Sequence, residues 1–185
     1  MSHADAKQFW DDAAKDPEVR YKYIADDWAK TEYFLDLIEE NNTTWTRVLE
    51  IGCGIGRLLA PLADNHETCE FYGLDISDEM IKLAQKRPNI HYQTYNDDLD
   101  LVFSMLVFQH MNTDSKVEML KMAYNNLRKG GTLLFQFVIG TEDAPYSYQM
   151  SLNEMTALVE LAGFTIEKIT AQFVHKSWCI IKATK

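Results

Sequence analysis

The chain has 185 residues with a formal charge of −10, and 46% of them are hydrophobic and 25% charged. That length carries one domain with one substantial core, and the balance is that of a folded protein rather than a disordered one. The acidity argues against a protein that grips nucleic acid through clustered Lys and Arg, or one that docks on an anionic membrane. No apolar run reaches the roughly 18 residues of a transmembrane helix.

In chain order, the first segment, MSHADAKQFWDDAAK, has no apolar stretch resembling a signal peptide, so a cytoplasmic setting is expected. It reads as helical through about Asn42. Phe9, Trp10, Ala13 and Ala14 fall at helical spacing, and Pro17 interrupts. Tyr21, Ile24, Trp28, Leu35 and Ile38 then lie near one side of a second helix. From Thr46 onward short apolar runs alternate with helical ones. Strands are expected at 47–51, 70–74, 90–94, 101–106 and 132–139, and helices at 55–64, 78–86, 115–127 and 152–161. Such alternation predicts βαβ units and a parallel sheet covered on both faces. Gly130–Gly131 is read as the turn into the strand at 132–139. Near the end, FTIEKI and FVHKSWCIIKA are strand-like and too close together for a crossover helix, which predicts an antiparallel hairpin.

Cys53, Cys69 and Cys179 are scattered, without CxxC spacing or a histidine cluster. A metal site, an iron–sulfur cluster and a disulfide framework are therefore not expected.

The sharpest motif is VLEIGCGIGR, residues 48–57, in which a strand runs into glycines 52, 54 and 56. Glycines there permit positive φ and remove Cβ atoms where a ligand must lie against backbone. The next strand, CEFYGLD, ends in Asp75, where an acid can take both hydroxyls of a ribose. Together these predict a nucleoside site. A dinucleotide fingerprint would need Gly or Ala where Arg57 stands, and a P-loop would need GK[ST]. The loop therefore suits a ligand without phosphate.

These motifs resemble those of the class I S-adenosylmethionine-dependent methyltransferases. VLEIGCGIGR is similar to that family's first motif and GLDISDEMIKLAQKR to its second. DLDLVFSMLVFQHM resembles the fourth-strand motif, and LRKGGTLLFQF the turn and fifth strand. SLNEMTALVELAGFTIEKI resembles the terminal helix and sixth strand. The leader FWDDAAKDP…YKYIADDW is similar to one seen in a subgroup.

The resemblance implies one methyltransferase domain over 1–185, with a helical lid region at 1–44 and a Rossmann-like core at 45–185. The fold class expected is α/β, doubly wound, with a mostly parallel seven-stranded sheet in the order 3-2-1-4-5-7-6 and the antiparallel C-terminal hairpin. S-adenosylmethionine is the implied cofactor. Gly52, Cys53, Gly54, Gly56, Arg57 and Ile76 would meet it, with Glu50 near its ammonium group, Asp75 at the ribose, and Met80 near the adenine. Ser104, Met105 and Leu106 would line the far side of the pocket. YNDDLDLVFS leaves little room for the family's usual loop between strands three and four, so Asn96 or Asp97 is expected to serve the adenine from a more open pocket.

His110 and Gln109 follow strand four. His110 is a candidate general base toward an acceptor, with substrate positioning or a structural hydrogen bond as the alternative. Trp10, Tyr21, Tyr23 and Trp28 are read as lid or helix-packing residues, and Tyr146 as part of a substrate loop. The implied activity is methyl transfer to O, N or C of a small-molecule acceptor by a monomer or weak homodimer. A catalytically silent binding protein and an NAD-dependent oxidoreductase are the rival readings.

Overall fold

The computed structural model describes residues 3–20, 28–40, 44–139, 148, 150–171 and 178–185. The chain forms two compact units, Met1–Tyr95 and Asn96–Lys185.

The first unit opens with helices α1 (His3–Lys15), α2 (Pro17–Arg20) and α3 (Trp28–Glu39). Strands β1 (Arg47–Ile51), β2 (Glu70–Leu74) and β3 (Ile90–Tyr92) follow, with α4 (Leu59–Asn65) and α5 (Asp78–Leu83) between them. β2 lies parallel to both β1 and β3, with Glu50 opposite Gly73 and Gly73 opposite Tyr92. Val48, Leu49 and Phe71 are buried, as strands sandwiched on both faces require.

The second unit holds β4 (Leu99–Ser104), a short 3-10 helix at Phe108–His110 and α6 (Thr113–Asn126). β5 (Leu127–Val138), α7 (Leu152–Leu161), β6 (Thr165–Ala171) and β7 (Trp178–Thr184) complete it. Every residue of β4 is buried. β4 runs parallel to β5, and β7 is antiparallel to both β5 and β6. The strand order is β3-β2-β1-β4-β5-β7-β6 in a seven-stranded sheet, as expected, including the antiparallel C-terminal pair.

Several boundaries differ from expectation for identifiable reasons. The helix expected from Ile55 begins at Leu59, because residues 54–58 form turns in which Gly54 and Gly56 take φ of 52° and 77°. The helix expected to reach Lys86 ends at Leu83, and Gln85 is drawn off to donate its N–H to the carbonyl of Ile55 (3.0 Å). Gly130–Gly131 is not a turn before the strand. It lies inside β5, where Gly130 has φ of 75° and the β4–β5 register shifts between Leu99 and Leu101. β3 stops at Tyr92 because Gln93 turns the chain with φ of 58°. Residues 93–98 then link β3 to β4, a passage of the same short length as that between the expected strands, shifted two residues earlier. The helix expected to span Tyr21 to Asn42 is described only over Trp28–Glu39. Among the described residues no helix is long and apolar enough to cross a membrane.

Candidate cofactor site

The glycine turn is built against the end of β2. The N–H groups of Gly52 and Cys53 both donate to the carbonyl of Leu74 (2.7 and 3.0 Å), a sharing made possible by φ of 75° at Gly52. The next free amide, Gly54 N–H, donates to Asp75 Oδ2 (2.8 Å). Asp75 Oδ1 accepts from Ser77 N–H (2.9 Å). Sequence reading brought Gly54 and Asp75 to one site, and they are in direct contact. Burial raises the Asp75 pKa, while the Ser77 and Gly54 amides oppose the rise. A carboxylate has about four lone-pair positions, so each oxygen keeps one for a ligand hydroxyl.

Glu50, on β1, is 3% exposed, and its Oε2 has no hydrogen-bond partner. Burial pushes its pKa up to about 8, against the attraction of Arg57 and with a further push from Asp75. An orphaned carboxyl behind a glycine turn fits a ligand that carries a cation. Arg57 and Ile76 are half-buried. Met80 is buried and packs with Ala13, Ala14, Trp10, Val19 and Ile55.

Three residues that sequence reading missed hold this frame. Gln93 places its side-chain amide against the backbone of Asp75, donating to Asp75 O (2.9 Å) and accepting from Asp75 N–H (3.2 Å). Tyr92 donates its hydroxyl to Gln85 O (2.6 Å) under the glycine turn. Ser77 caps α5 by accepting from Met80 N–H (3.1 Å). No local pattern signals the first two, because their partners are distant in sequence. Ser77 three residues before Met80 does match an N-cap pattern.

In the second unit, Ser104 ends β4 fully buried, and Met105 is buried beside it. Leu106 has φ of 63°, and its N–H donates to Gln136 Oε1 (2.9 Å). Gln109 is buried, with its Oε1 lacking a partner, and its carbonyl accepts from Tyr148 N–H (2.7 Å). His110 is half-buried at the end of the 3-10 helix. Asn96 and Asp97 are exposed. Trp28 begins α3, but its side chain, like Tyr21, Tyr23 and Tyr146, lies outside the described residues. Trp10 packs on the Met80 cluster, which favours the packing role over the lid role. Among the described residues, no group of three or more His, Cys, Asp or Glu could hold a metal ion.

Lys116 is a further oddity. It is 1% exposed and sits in the first turn of α6, the positive end of the helix dipole. Its ammonium donates to Tyr148 O (3.3 Å), and burial lowers its pKa to about 8. Lys116→Met is expected to raise stability at pH 7 by about 1 kcal/mol, or roughly 2–4 °C. The native pKa lies below the unfolded one, so the penalty is present below pH 8 and fades as the pH rises toward 10.5. Thermal melts of both proteins at pH 7 and pH 10 check the sign and the trend.

Comparison with known proteins finds methyltransferases. A family model described as a methyltransferase domain matches residues 49–133, which span the glycine turn, Asp75 and β4. That stretch, just under half of the chain, is similar to a methyltransferase domain. Malonyl-[acyl-carrier protein] O-methyltransferase of Bacillus cytotoxicus is 29% identical over 99 residues, covering 48% of this chain and 34% of that protein. Trans-aconitate 2-methyltransferase of Deinococcus radiodurans is 29% identical over 129 residues, covering 65% of this chain and 48% of its own length. The chain thus spans between about a third and a half of these two relatives. Magnesium protoporphyrin IX methyltransferase of Synechocystis, whose crystal structure contains bound S-adenosylhomocysteine, has a TM-score of 0.76. It is 18% identical, with 100% of each chain covered, a likeness of fold.

Proposed function

We propose that this chain binds S-adenosylmethionine at the glycine turn and transfers its methyl group to a small-molecule acceptor. The observation that carries the reading is the pairing of Asp75, held on the Gly54 and Ser77 amides, with the orphaned carboxyl of Glu50. The first suits a ribose diol and the second an ammonium group. Arg57 stands where a dinucleotide loop needs a small residue, which speaks against NAD. The family's cofactor supplies an activated methyl on a sulfonium, whose neutral leaving group makes positioning the main task of the protein.

By this reading Gly52, Cys53 and Gly54 give backbone room to the amino-acid portion, and Asp75 fixes the ribose. Met80 and Ile76 border the adenine side. The parts assigned to Ser104, Met105, Leu106, Asn96 and Asp97, and to Gln109 and His110 on the acceptor side, rest on the family resemblance alone. The relative named for trans-aconitate supports a small-molecule acceptor, and a net charge of −10 speaks against a nucleic acid. The acceptor atom is O, N or C. A cytoplasmic monomer or weak homodimer is the setting that goes with this reading.

The test is a pair of thermal melts. S-adenosylhomocysteine should raise the melting temperature and NADH should not, because a ligand of the native state must stabilise it. A shift with NADH alone refutes the reading. Binding with no transfer of labelled methyl to any metabolite extract would favour a catalytically silent binder. Asp75→Ala should weaken S-adenosylhomocysteine binding by about 1–3 kcal/mol, measured by calorimetry. Unchanged affinity would remove Asp75 from the site.

A further inference from the structure

The leader helix α1 reaches the same turn that holds Asp75. Trp10, Ala13 and Ala14 pack on Met80 and Ile55, and Asp11 stands beside that apolar stripe. Asp11 Oδ1 accepts the hydroxyl of Ser77 (2.6 Å) and the N–H of Glu79 (3.2 Å). Asp11 Oδ2 receives the Lys7 ammonium (3.0 Å), and Lys7 also pairs with Asp78 (2.8 Å). Ser77 is fully buried, and a serine hydroxyl has only one hydrogen to give. Committing that hydrogen to Asp11 aims the oxygen lone pairs at Met80 N–H, which fixes the start of α5 and the Ser77 backbone. The Ser77 N–H in turn holds Asp75, whose other oxygen holds Gly54. Three hydrogen bonds of 2.6, 2.9 and 2.8 Å therefore run from α1 through Ser77 and Asp75 to the glycine turn. Consistent with this strong engagement, the Asp11 carboxyl is held down to about 2, first by the Ser77 hydrogen bond and then, against the cost of burial, by Lys7 and Glu79.

We infer that Asp11 is a positioning residue for Asp75, and that docking of α1 and binding of the nucleoside ligand are coupled through Ser77. The inference rests on the cofactor reading above. Coupling is reciprocal: undocking α1 weakens the ligand, and the ligand tightens α1.

The experiment is calorimetric titration of S-adenosylhomocysteine into the full chain, with hydrogen exchange on α1. Asp11→Ala should raise the dissociation constant about 5- to 20-fold. Asp11→Asn, which keeps an oxygen to accept from Ser77 and Glu79, should stay within about threefold of wild type. Asp11→Ala combined with Ser77→Ala should be no worse than the poorer single variant, since both break one chain. In wild type, saturating ligand should slow exchange of the α1 amides about tenfold, because the coupling is reciprocal. A dissociation constant for Asp11→Ala within twofold of wild type, or additive effects in the double variant, overturns the inference while leaving the cofactor reading intact. Failure of wild type to bind S-adenosylhomocysteine overturns both. If Asp11→Ala does not fold, Ser77→Ala and wild-type exchange decide: unchanged affinity, or α1 exchange indifferent to the ligand, refutes the coupling.

Discussion

Replacing Glu50 by glutamine is expected to stabilise the ligand-free protein and to cost it the cofactor. The Glu50 carboxyl titrates near pH 8 in the fold against an ordinary value of 4.5, chiefly because it is buried. Below pH 4.5 it is protonated in both states and imposes no ionisation penalty. Between pH 4.5 and 8 the unfolded chain gives up the proton and the fold retains it, so stability falls over that window and is lowest above it. Each pKa unit corresponds to about 1.4 kcal/mol, but glutamine leaves a buried amide short of partners at a cost of about 1–3 kcal/mol. The net gain at pH 8 is on the order of 2 kcal/mol, or about 4–8 °C for a chain of this size. The advantage should shrink as the pH falls and reverse toward pH 4, where only the amide cost of about 1–3 kcal/mol remains. Ligand binding should move the other way. An ammonium group brought near Glu50 favours its ionised form, so binding below pH 8 expels a proton, and Arg57 and Asp75 set the remaining field. Calorimetry of S-adenosylhomocysteine binding in buffers of different ionisation enthalpy should count that proton in wild type and lose it in Glu50→Gln. Affinity should drop at least about tenfold. A variant that is less stable than wild type at pH 8, or that binds with the same proton release, contradicts this role.

The second large effect is expected at Gly56. Its φ is 77°, and a Cβ there would lie 2.5 Å from the hydroxyl of Tyr92. The hydroxyl cannot simply retreat, because it is bonded to Gln85 O. Gly56→Ala therefore combines left-handed backbone strain, about 1 kcal/mol, with an overpacking cost of about 1–3 kcal/mol. The melting temperature should fall by about 4–16 °C. Tyr92→Phe removes the offending oxygen, and the next ring atom is 3.6 Å away. In that background Gly56→Ala should cost only the strain. Denaturant melts of the four proteins form a cycle, and an additive result would mean that the clash is not the cause.

The parallel core was legible because β1, β4 and β5 are buried along most of their length, and buried strands read as near-continuous apolar runs. Gly54 and Asp75 were legible because each closes a strand and the two lie in consecutive βα turns. What could not be read is the set of residues that makes those two meet. Gln93 acts on Asp75 through a backbone pairing that any register change would abolish, and its left-handed φ carries no glycine to announce it. Asp11 reaches Ser77 across 66 positions of chain, and on its own helix it looks like one more solvated acid. Helix limits failed where the chain leaves helical geometry to serve the turn, at Ile55–Leu58 and at Gln85. Gly130 misled because a glycine pair commonly marks a turn, and here it serves a register shift within β5.

The two amides on Asp75 bear on selectivity among nucleosides. Each oxygen is already tethered, one to Gly54 and one to Ser77, so the carboxylate cannot swivel to favour one hydroxyl when its neighbour is missing. On the proposed cofactor reading it would serve as a fixed two-pronged gauge for a vicinal diol. Analogues lacking either the 2′ or the 3′ hydroxyl should therefore be rejected to a similar degree, and the cost of ordering the carboxylate is met during folding rather than at the moment of capture.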